Sequence, residues 1–502
     1  MKIPALLMVG LEGPRPDARA RQVVSDPAVA GVILFGRNIL SPPQLRELLG
    51  ELTEERRRRG LPLLLVAVDQ EGGTVTRIRR GATSFPGNRV LGEGGSEREA
   101  YQQGLATGQE LATLGVNLNL APVLDLYTIP GNPSTSIRSF GPDPERAALL
   151  GAALIRGLEE GGVAATAKHF PGKGAARIDS HLALPRILRT REQLAGRELV
   201  PFRRAVAAGV SAMMISHAAY PALEDGKILP ATFSRNVQKH WLRDELGFSG
   251  IIITDDLGMG AIGSSWGAGE AAVAALSAGA DLLLLCHERG QQEEARRTLT
   301  AAAADQPKLA QAAAAAGKRL DALRQDLADR PTASRSRSAR RLAGNLAERA
   351  LRIVSDPGGL IPLDPVKPVT AFQFGEGGST GAEERDPLDA GGLSSFLEKL
   401  GYQVSRVDLP ADPTPTQINQ ALSRRGPKDT VICCTLDAYR FGGQRRMIAR
   451  LGSSGVIGAA LKDPRDSVLF PRGWTALLTY SPVGVSLEAL ALLLAGGIRK
   501  AE

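Results

Sequence analysis

The chain has 502 residues, more than a single hydrophobic core usually organises, so two domains are expected. Its 43% hydrophobic and 23% charged residues are typical of a globular protein, and no apolar run reaches the ~18 residues of a membrane-spanning helix. The net charge of +8 lies partly in the basic runs 54–60 and 330–341, but neither contains the interleaved aromatic residues that stack on bases, which argues against nucleic-acid binding and for solvated surfaces.

The N-terminus and the cysteines bear on where the protein works. Residues 1–16 contain one lysine and a short apolar stretch without the apolar core and cleavage site of a signal peptide, so we expect them to provide the first strand. Cys433 and Cys434 are adjacent, which rarely permits a disulfide, and with Cys286 they form no zinc-binding spacing. We therefore predict a cytoplasmic location in preference to secretion, and neither a metal nor another cofactor.

Between residues 28 and 290, short apolar runs alternate with longer helical patterns. The runs show no polar alternation, which indicates burial on both faces, as in parallel strands with helical crossovers. Seven or eight such units predict an α/β fold with a (β/α)8 barrel over residues 1–335; a doubly wound open sheet is the alternative. The runs are AGVILFG, PLLLVAVDQ, GVNLNLAPVLDL, GVAATAKHF, GVSAMMISH, GIIITDD and GADLLLLCH.

Most of these runs end in a polar residue that the interior of a strand disfavours. The carboxyl ends of barrel strands converge on one face, so we expect these side chains to surround one pocket. They are Asp69, Asp125, Lys168 with His169, His217, Asp255 and His287.

The first glycine-rich turn that follows a predicted strand is DQEGGTVTRI, residues 69–78. Its two glycines permit a tight turn and a close approach to a ligand. Asp69 can accept hydrogen bonds from hydroxyl groups and Arg77 can donate them. A second polar loop, STSIRSFG, contributes Arg138 in the same way.

The densest polar cluster is KHFPGKGAARIDSHLALP, residues 168–185. Lys168 and His169 end the fourth of the runs, and the glycines and proline after them predict a loop. On this loop Asp179 precedes His181 by two residues, so its carboxylate can orient the imidazole and raise its basicity for proton transfer. A polar surface loop with a satisfied histidine is the alternative interpretation.

Two adjacent carboxylates follow the run GIIIT. Asp255 continues the strand towards the pocket and is the candidate for chemistry, as a nucleophile or a stabiliser of charge. We expect Asp256 to serve local structure, for example as the N-cap of the next helix.

A break is expected near residues 329–341, where Pro331 and a serine-rich stretch indicate a linker. Beyond it, five apolar runs alternate with helical patterns, which predicts a second α/β domain, a three-layer sandwich over residues 346–502. Residues 377–381 match the hydrolase elbow G-x-S-x-G, but no histidine follows His287 to complete a triad.

These segments together resemble glycoside hydrolase family 3, most closely its bacterial β-N-acetylglucosaminidase branch. The resemblance covers about residues 5–290 and the tail with LIPL, DPRDSVLFP and LLTYSP. It implies a barrel followed by an α/β sandwich domain, and a small carbohydrate as the partner. The matching segments are DQEGGTVTR, APVLDL, IRSFG, KHFPGKG with DSHLALP, MMISHAAYP, PATFSR and IITDDLGMGAI.

The resemblance also implies roles for the candidate residues. Asp255 is then the nucleophile of a retaining β-N-acetylglucosaminidase, His181 the acid and base, and Asp179 the residue that orients His181. The implied sugar-binding residues are Asp69, Arg77, Arg138, Lys168 and His169. A role in recycling muropeptides, which are peptidoglycan fragments, is implied by the resemblance alone.

The chain departs from the family's common PGHGD text at Lys173 and Ala175. This departure puts fine substrate choice in question more than the chemistry. A neutral imidazole as the acid and base adds no negative charge beside the anomeric carbon, so phosphate is an alternative acceptor. A phosphorylase or a β-glucosidase of the same family is therefore an alternative, and a sugar-binding protein without activity is a further one.

Overall fold

The computed structural model describes residues 3–129, 132, 135–330, 338–375 and 392–498. In this part of the chain, eight parallel strands form one sheet in the order β10-β1-β2-β3-β6-β7-β8-β9, and a parallel bridge between Ile253 and Leu282 closes it. The (β/α)8 barrel is thereby confirmed and the open-sheet alternative is wrong. The first ten strands are β1 Leu7–Gly10, β2 Val29–Leu34, β3 Leu65–Val68, β4 Gln70–Gly72, β5 Val75–Thr76, β6 Leu118–Asn119, β7 Ala164–Phe170, β8 Ala212–Ile215, β9 Ile251–Thr254 and β10 Leu283–Leu285.

Helices surround the barrel strands and bury their apolar faces against them. Strand residues of β3, β7 and β9 are buried throughout, which explains why their sequences show no polar alternation. The short pair β4 and β5 is an antiparallel hairpin beside the barrel sheet. The helices of this part are α1 Ala18–Val24, α2 Pro42–Arg58, α3 Asn88–Gly94, α4 Glu97–Ala112, α5 Pro144–Glu160, α6 Arg191–Gln193, α7 Val200–Ala207, α8 Gly260–Gly263, α9 Ala268–Ala278, α10 Arg289–Asp305 and α11 Pro307–Asp329.

Helix α2 shows how the sequence sets such bounds. The Ser41 hydroxyl accepts a hydrogen bond from the Gln44 N–H at 3.3 Å, and Pro42 opens the first turn. Gly60, with φ of 63°, follows the arginine-rich last turn. The expectation that this basic run is a solvated surface is wrong for Arg56, which is only 1% exposed. Its guanidinium donates to the carbonyls of Val24, at the end of α1, and Val29, at the start of β2.

The second sheet has six strands in the order β11-β16-β15-β14-β12-β13. All its pairs are parallel except β11 with β16, and β11 is a half-exposed strand that the sequence patterns did not reveal. Its strands are β11 Arg352–Ser355, β12 Val369–Phe374, β13 Val404–Leu409, β14 Thr430–Thr435, β15 Ser454–Ala460 and β16 Gly473–Leu478. The remaining helices are α12 Ala339–Ala350, α13 Gly392–Lys399, α14 Pro415–Leu422, α15 Gly442–Arg450 and α16 Gly484–Leu494.

Alternate residues of β14 pack against different helices, as a three-layer sandwich requires. Ile432 and Cys434 share an apolar cluster with residues of α12, α13 and α16, while Val431 and Cys433 share another with residues of α14 and α15. All three cysteines are free and buried. The C-terminal α/β sandwich is thereby confirmed.

The domain limits 1–335 and 346–502 stay predictions, and residue 346 lies inside α12. Part of the predicted linker, residues 331–337, and the elbow sequence at 377–381 lie outside the described residues.

The two sheets belong to regions in contact: the Tyr127 hydroxyl donates to Asp463 at 2.7 Å. Among the described helices, none is long and apolar enough to cross a membrane.

Candidate active site

A cavity of about 240 Å³ opens at the carboxyl end of the barrel strands. It is smaller than the ~300–1,000 Å³ of pockets for drug-sized ligands, which suits a ligand with a single ring. The predicted residues in its lining are Asp69, Arg77, Arg138, Lys168, His169, His181 and Asp255, and Asp179 lies behind His181.

The floor of the cavity is a network of paired charges carried by β4, β7 and the loop before α5. The Lys168 ammonium donates to Asp69 at 2.7 Å and lies 2.6 Å from the Glu71 carboxylate. Glu71 also accepts two hydrogen bonds from Arg138, at 2.7 and 2.8 Å. Burial alone raises the pKa of Glu71, but Arg138 and Lys168 outweigh it and hold this pKa well below its usual range. The floor therefore keeps its charges in fixed positions before any ligand binds.

The local fold explains how the floor residues reach the cavity. The Gln70 side chain accepts hydrogen bonds from the backbone of Arg77 and Ile78, which fixes the β4–β5 hairpin and directs Arg77 towards Asp69, 3.8 Å away. Asn88 donates to the Arg138 carbonyl at 2.8 Å and holds the end of a 3-10 turn. Glu71 lies in the same glycine-rich turn, but the sequence assigned it no role, because its partners Arg138 and Lys168 come from distant segments.

His169 is held by a buried carboxylate. Its Nδ1–H donates to Asp125 at 2.7 Å, and its Nε2 lies 3.9 Å from an Asp255 oxygen. Burial lowers the pKa of His169 well below its usual value and raises the pKa of Asp125. A neutral His169 with Nδ1–H bound to Asp125 presents Nε2 as an acceptor, which fits a hydroxyl of a ligand.

Asp255 follows β9 and faces the cavity, with an 18% exposed side chain. Burial alone raises its pKa, but His169, His217, Lys173 and His181 around it hold this pKa well below its usual range. Asp255 is therefore an ionised carboxylate throughout the neutral range, as a nucleophile requires.

Asp256, which also lines the cavity, and His217 support this strand end. The Asp256 carboxylate accepts hydrogen bonds from the N–H groups of Gly258 and Cys286, and its carbonyl oxygen lies 2.9 Å from His217 Nε2. His217 is 1% exposed, and its Nδ1 lies 2.6 Å from the Thr232 hydroxyl. The expectation that every polar strand end lines the pocket is wrong for Asp125 and His217, which instead hold residues that do.

The loop after β7 brings the predicted pair of proton-transfer residues into the cavity wall. His181 Nδ1 lies 2.7 Å from Asp179, so this nitrogen donates to the carboxylate. The other nitrogen, Nε2, makes no hydrogen bond to a described residue. Burial alone raises the pKa of Asp179, but the side chain and backbone N–H of His181, together with Lys173, hold this pKa at about 2, so Asp179 stays ionised and fixes the tautomer of His181.

Backbone contacts hold this loop closed over the cavity. Asn132 donates to the carbonyls of Lys173 and Gly174 at 3.2 and 2.9 Å. At the far end, the Ala261 N–H donates to the Ser180 carbonyl at 3.0 Å, which ties the loop to helix α8 just after Asp255. A Cβ atom on Gly260 would lie 2.5 Å from the His181 carbonyl oxygen, so glycine permits this close approach.

Two further side chains reach the cavity without an assigned role from the sequence patterns. Lys173, which the sequence marked only as a departure from the family's common text, is 2% exposed and lines the cavity. His287 lines the opposite side; its Nδ1 accepts from Arg37 at 3.2 Å, and burial lowers its pKa. His287 therefore presents Nε2–H as a neutral donor. The sequence showed it as a strand end, but its partner Arg37 comes from the 3-10 turn that follows β2.

Comparisons with known proteins identify the family of the barrel region. Residues 1–317 match the model of the "Glycosyl hydrolase family 3 N terminal domain". The beta-hexosaminidase of Pseudomonas aeruginosa (strain LESB58) is 40% identical over 298 residues, covering 58% of this chain and 86% of that protein. That of Alkalilimnicola ehrlichii is 41% identical over 290 residues, covering 56% and 80%.

A solved structure extends the likeness to both domains. The glycoside hydrolase family 3 β-N-acetylglucosaminidase from Paenibacillus sp. str. FPU-7 is 35% identical, with a TM-score of 0.91 over 98% of this chain and 96% of that one. The family model covers more than half of the chain and the relatives are similar over most of their length. The chain therefore belongs to glycosyl hydrolase family 3 and is a glycoside hydrolase.

Proposed function

We propose that the chain is a retaining exo-β-N-acetylglucosaminidase that releases terminal β-linked N-acetylglucosamine from short glycans. The observation that carries this proposal is one cavity that contains an ionised carboxylate, Asp255, and a histidine oriented by a carboxylate, His181 with Asp179. The names of the similar proteins, beta-hexosaminidase and β-N-acetylglucosaminidase, supply the sugar.

In the first step, Asp255 attacks the anomeric carbon while protonated His181 gives its Nε2 proton to the leaving oxygen. The bond from the anomeric carbon to the aglycone breaks, and a glycosyl ester of Asp255 forms. Asp179 stays ionised and stabilises the imidazolium before the transfer, because its carboxylate accepts the Nδ1–H.

In the second step, a water molecule attacks the anomeric carbon and gives its proton to neutral His181. The ester bond breaks and its electron pair returns to Asp255, so the sugar leaves with its original configuration. The floor residues hold the sugar ring meanwhile: Arg77, Arg138 and Lys168 donate, Asp69 accepts, and His169 Nε2 accepts a hydroxyl hydrogen.

The dimensions of the cavity support the exo mode and a short substrate, because about 240 Å³ leaves room for one terminal ring. The chain has 4% aromatic residues, and a long cleft for polysaccharides usually needs aromatic platforms. We include muropeptides as substrates and a cytoplasmic location in this proposal, on the resemblance to the cell-wall recycling branch of the family.

The test compares hydrolysis of p-nitrophenyl β-N-acetylglucosaminide with that of the β-glucoside. We expect the former to be the better substrate, and Asp255→Asn to lower its kcat by ~10³-fold or more, since no ester then forms. Asp305→Asn, an exposed aspartate at the end of α10, is the matched control and should keep full activity. Absence of N-acetylglucosaminide turnover by the wild type contradicts the proposal; preference for the glucoside indicates a β-glucosidase.

A further inference from the structure

The two domains of the protein meet beside the active-site cavity. Asp463, which follows β15 in the C-terminal domain, is fully buried; it accepts a hydrogen bond from the Tyr127 hydroxyl at 2.7 Å and lies 3.4 Å from the Ser136 hydroxyl oxygen. Tyr127 and Ser136 belong to the barrel and lie between β6 and α5, in the same stretch as the floor residue Arg138. We call the described part of this stretch the rim segment, which consists of residues 126–129, 132 and 135–138.

Asp463 is held as a charged acceptor for the rim segment. The Arg465 guanidinium donates to both Asp463 carboxylate oxygens at 2.8 Å and lies over the Tyr439 ring, 3.4 Å from its centroid. Burial alone raises the pKa of Asp463, but Arg465 and the Tyr127 hydroxyl hold this pKa below its usual value. The hydrogen bond from Tyr127 therefore ends on an ionised and fixed carboxylate, which makes it stronger than a bond between neutral groups.

The rim segment in turn holds the loop of the proton-transfer pair. The Asn132 side chain donates to the carbonyls of Lys173 and Gly174 at 3.2 and 2.9 Å. Its own orientation is fixed from two sides: the Asn132 backbone N–H donates to the Ile129 carbonyl at 3.1 Å, and its side-chain oxygen accepts from the Thr135 N–H at 3.1 Å. Asn132 thus connects both ends of the rim segment to the loop.

The backbone of the loop also rests directly on the rim segment. A Cβ atom on Gly174 would lie 1.8 Å from the carbonyl oxygen of Leu126, the residue before Tyr127. Displacement of Tyr127 must therefore move the surface on which the loop lies. The Arg138 guanidinium is held separately, by its two hydrogen bonds to Glu71, so the floor does not depend on the contact with the second domain in the same way.

We propose that Asp463 is a positioning residue of the active site: through the rim segment, it holds the loop of the proton-transfer pair in the closed position that His181 needs. Asp463 thereby takes part in catalysis through the barrel and not by touching the substrate. This inference rests on the proposed function, because it concerns the transfer of a proton by His181 in the first step.

The test uses two substrates that differ in their need for an acid. Methyl β-N-acetylglucosaminide needs a proton from His181 on its leaving oxygen, whereas the dinitrophenyl glycoside needs little protonation. For both substrates kcat/KM reports on the first step, so the ratio of the two values depends neither on the second step nor on how much enzyme is folded. Absence of turnover of both glycosides by the wild type overturns the hydrolase proposal and, with it, this inference.

Tyr127→Phe removes only the hydroxyl that Asp463 accepts. The domains stay joined elsewhere, because Arg352 in β11 donates to the Glu93 carbonyl in α3 at 3.0 Å. We expect the ratio of the methyl to the dinitrophenyl glycoside to fall ~10-fold, since a small displacement of the loop misplaces the acid. Binding of N-acetylglucosamine, measured by calorimetry, should stay within about twofold of the wild type because the floor is unchanged.

The matched control is Tyr101→Phe, which removes a similar hydrogen bond, from Tyr101 in α4 to Glu160 in α5 at 2.6 Å. It should keep the wild-type ratio. An unchanged ratio in Tyr127→Phe, with normal turnover by the wild type, overturns this inference and leaves the hydrolase proposal intact. Equal losses with both substrates, or loss of sugar binding, also overturn it, because the contact would then act on the whole site and not on the loop.

A second pair of variants tests whether Asp463 is the partner that matters. Asp463→Asn should lower the same ratio, and adding Tyr127→Phe to it should lower the ratio little further, because both changes act on one contact. Losses that multiply overturn the assignment to Asp463. If Asp463→Asn does not fold, the double variant Tyr127→Phe with Ser136→Ala leaves the Asp463–Arg465 pair intact and decides the matter: a wild-type ratio there overturns the inference.

Discussion

The floor of the cavity and the loop that closes it differ in burial and in the kind of contact that holds them in place. The floor places Lys168, Glu71 and Arg138 in direct charge-assisted contacts, with side chains 2%, 2% and 6% exposed. The loop carries the His181–Asp179 pair on a segment with exposed residues on either side, Ile178 at 50% and Leu182 at 79%. Under the proposed function, the sugar-binding residues are therefore fixed by the fold itself, whereas the proton-transfer pair lies on a segment that docks.

The contacts that hold the floor contribute more free energy than the contact that holds the far end of the loop. Removing one partner of a buried ion pair leaves an uncompensated charge and typically costs ~3–5 kcal/mol. The loop is held at its far end by the Ala261–Ser180 hydrogen bond, and such a bond contributes a net ~0.5–1.5 kcal/mol. The floor thus contributes to the stability of the barrel, and under the proposed function the loop is the segment that we expect to open for exchange of substrate and product.

We expect the largest loss of stability from Glu71→Gln, which disrupts the ion pairs of the floor. The neutral amide leaves Lys168 and Arg138 with too little negative charge, so the free energy of unfolding should fall by ~3–5 kcal/mol. Chemical denaturation monitored by circular dichroism measures this loss. Glu97→Gln removes an exposed pair with Arg156 and should cost ~1 kcal/mol or less. A loss in Glu71→Gln no larger than in this control contradicts the account of the floor.

Replacing His181 tests the loop through the rate of catalysis and not through stability. His181→Ala should lower kcat with a poorly activated alkyl glycoside ~10²–10⁴-fold, because no acid assists the leaving group. With a dinitrophenyl glycoside the first step needs little protonation, so the loss should be smaller and an initial burst should appear as the ester accumulates. Equal losses with both substrates contradict the assignment of His181 as the acid and base. The free energy of unfolding should change little.

The sequence predicted the floor and the loop unequally. The barrel follows from apolar runs without alternation, and the convergence of strand ends brought Asp69, Lys168, His169 and Asp255 together correctly, because strand direction alone determines where those ends meet. The distance between Asp179 and His181 along the chain also sufficed to predict their contact.

What the sequence did not show depends on contacts between distant segments. Asp125 and His217 follow strands like the other candidates, but the irregular course after each strand turns them behind His169 and Asp256. Lys173 is buried because its backbone is held by Asp125 and by Asn132, 41 residues away in the chain. No local pattern in the sequence encodes these contacts, so the burial of Lys173 could not be predicted.

A smaller change tests whether docking of the loop controls activity. Gly260→Ala places a Cβ atom 2.5 Å from the His181 carbonyl oxygen and 3.0 Å from that of Leu182, both backbone atoms, so the loop must shift. We expect kcat to fall ~10–100-fold, since displacement of a catalytic group by ~1 Å has effects of this size. Binding of N-acetylglucosamine, measured by calorimetry, should change little because the floor is intact.

The matched control for this loop variant is Gly290→Ala, because an added Cβ there meets nothing within 4 Å. It should keep the wild-type kcat. If Gly260→Ala keeps it as well, the docked position of the loop is not required for proton transfer. If Gly260→Ala instead loses sugar binding, the floor and the loop are not separable as described.

The smallest expected effect concerns pH and connects the two regions through Lys173. The pKa of Asp255 lies well below its usual value, so its ionised form persists as the pH falls below the ~3.9 of an ordinary aspartate. With a dinitrophenyl glycoside, kcat/KM should therefore show no loss between about pH 6 and about pH 4. Lys173 is one of the groups that lower this pKa, so Lys173→Met should raise it and move the acid limb to higher pH. Lys308→Met, at an exposed position of α11, is the control and should leave the acid limb of the pH profile in place. An acid limb that is already present near pH 5 in the wild type contradicts a strongly acidic Asp255.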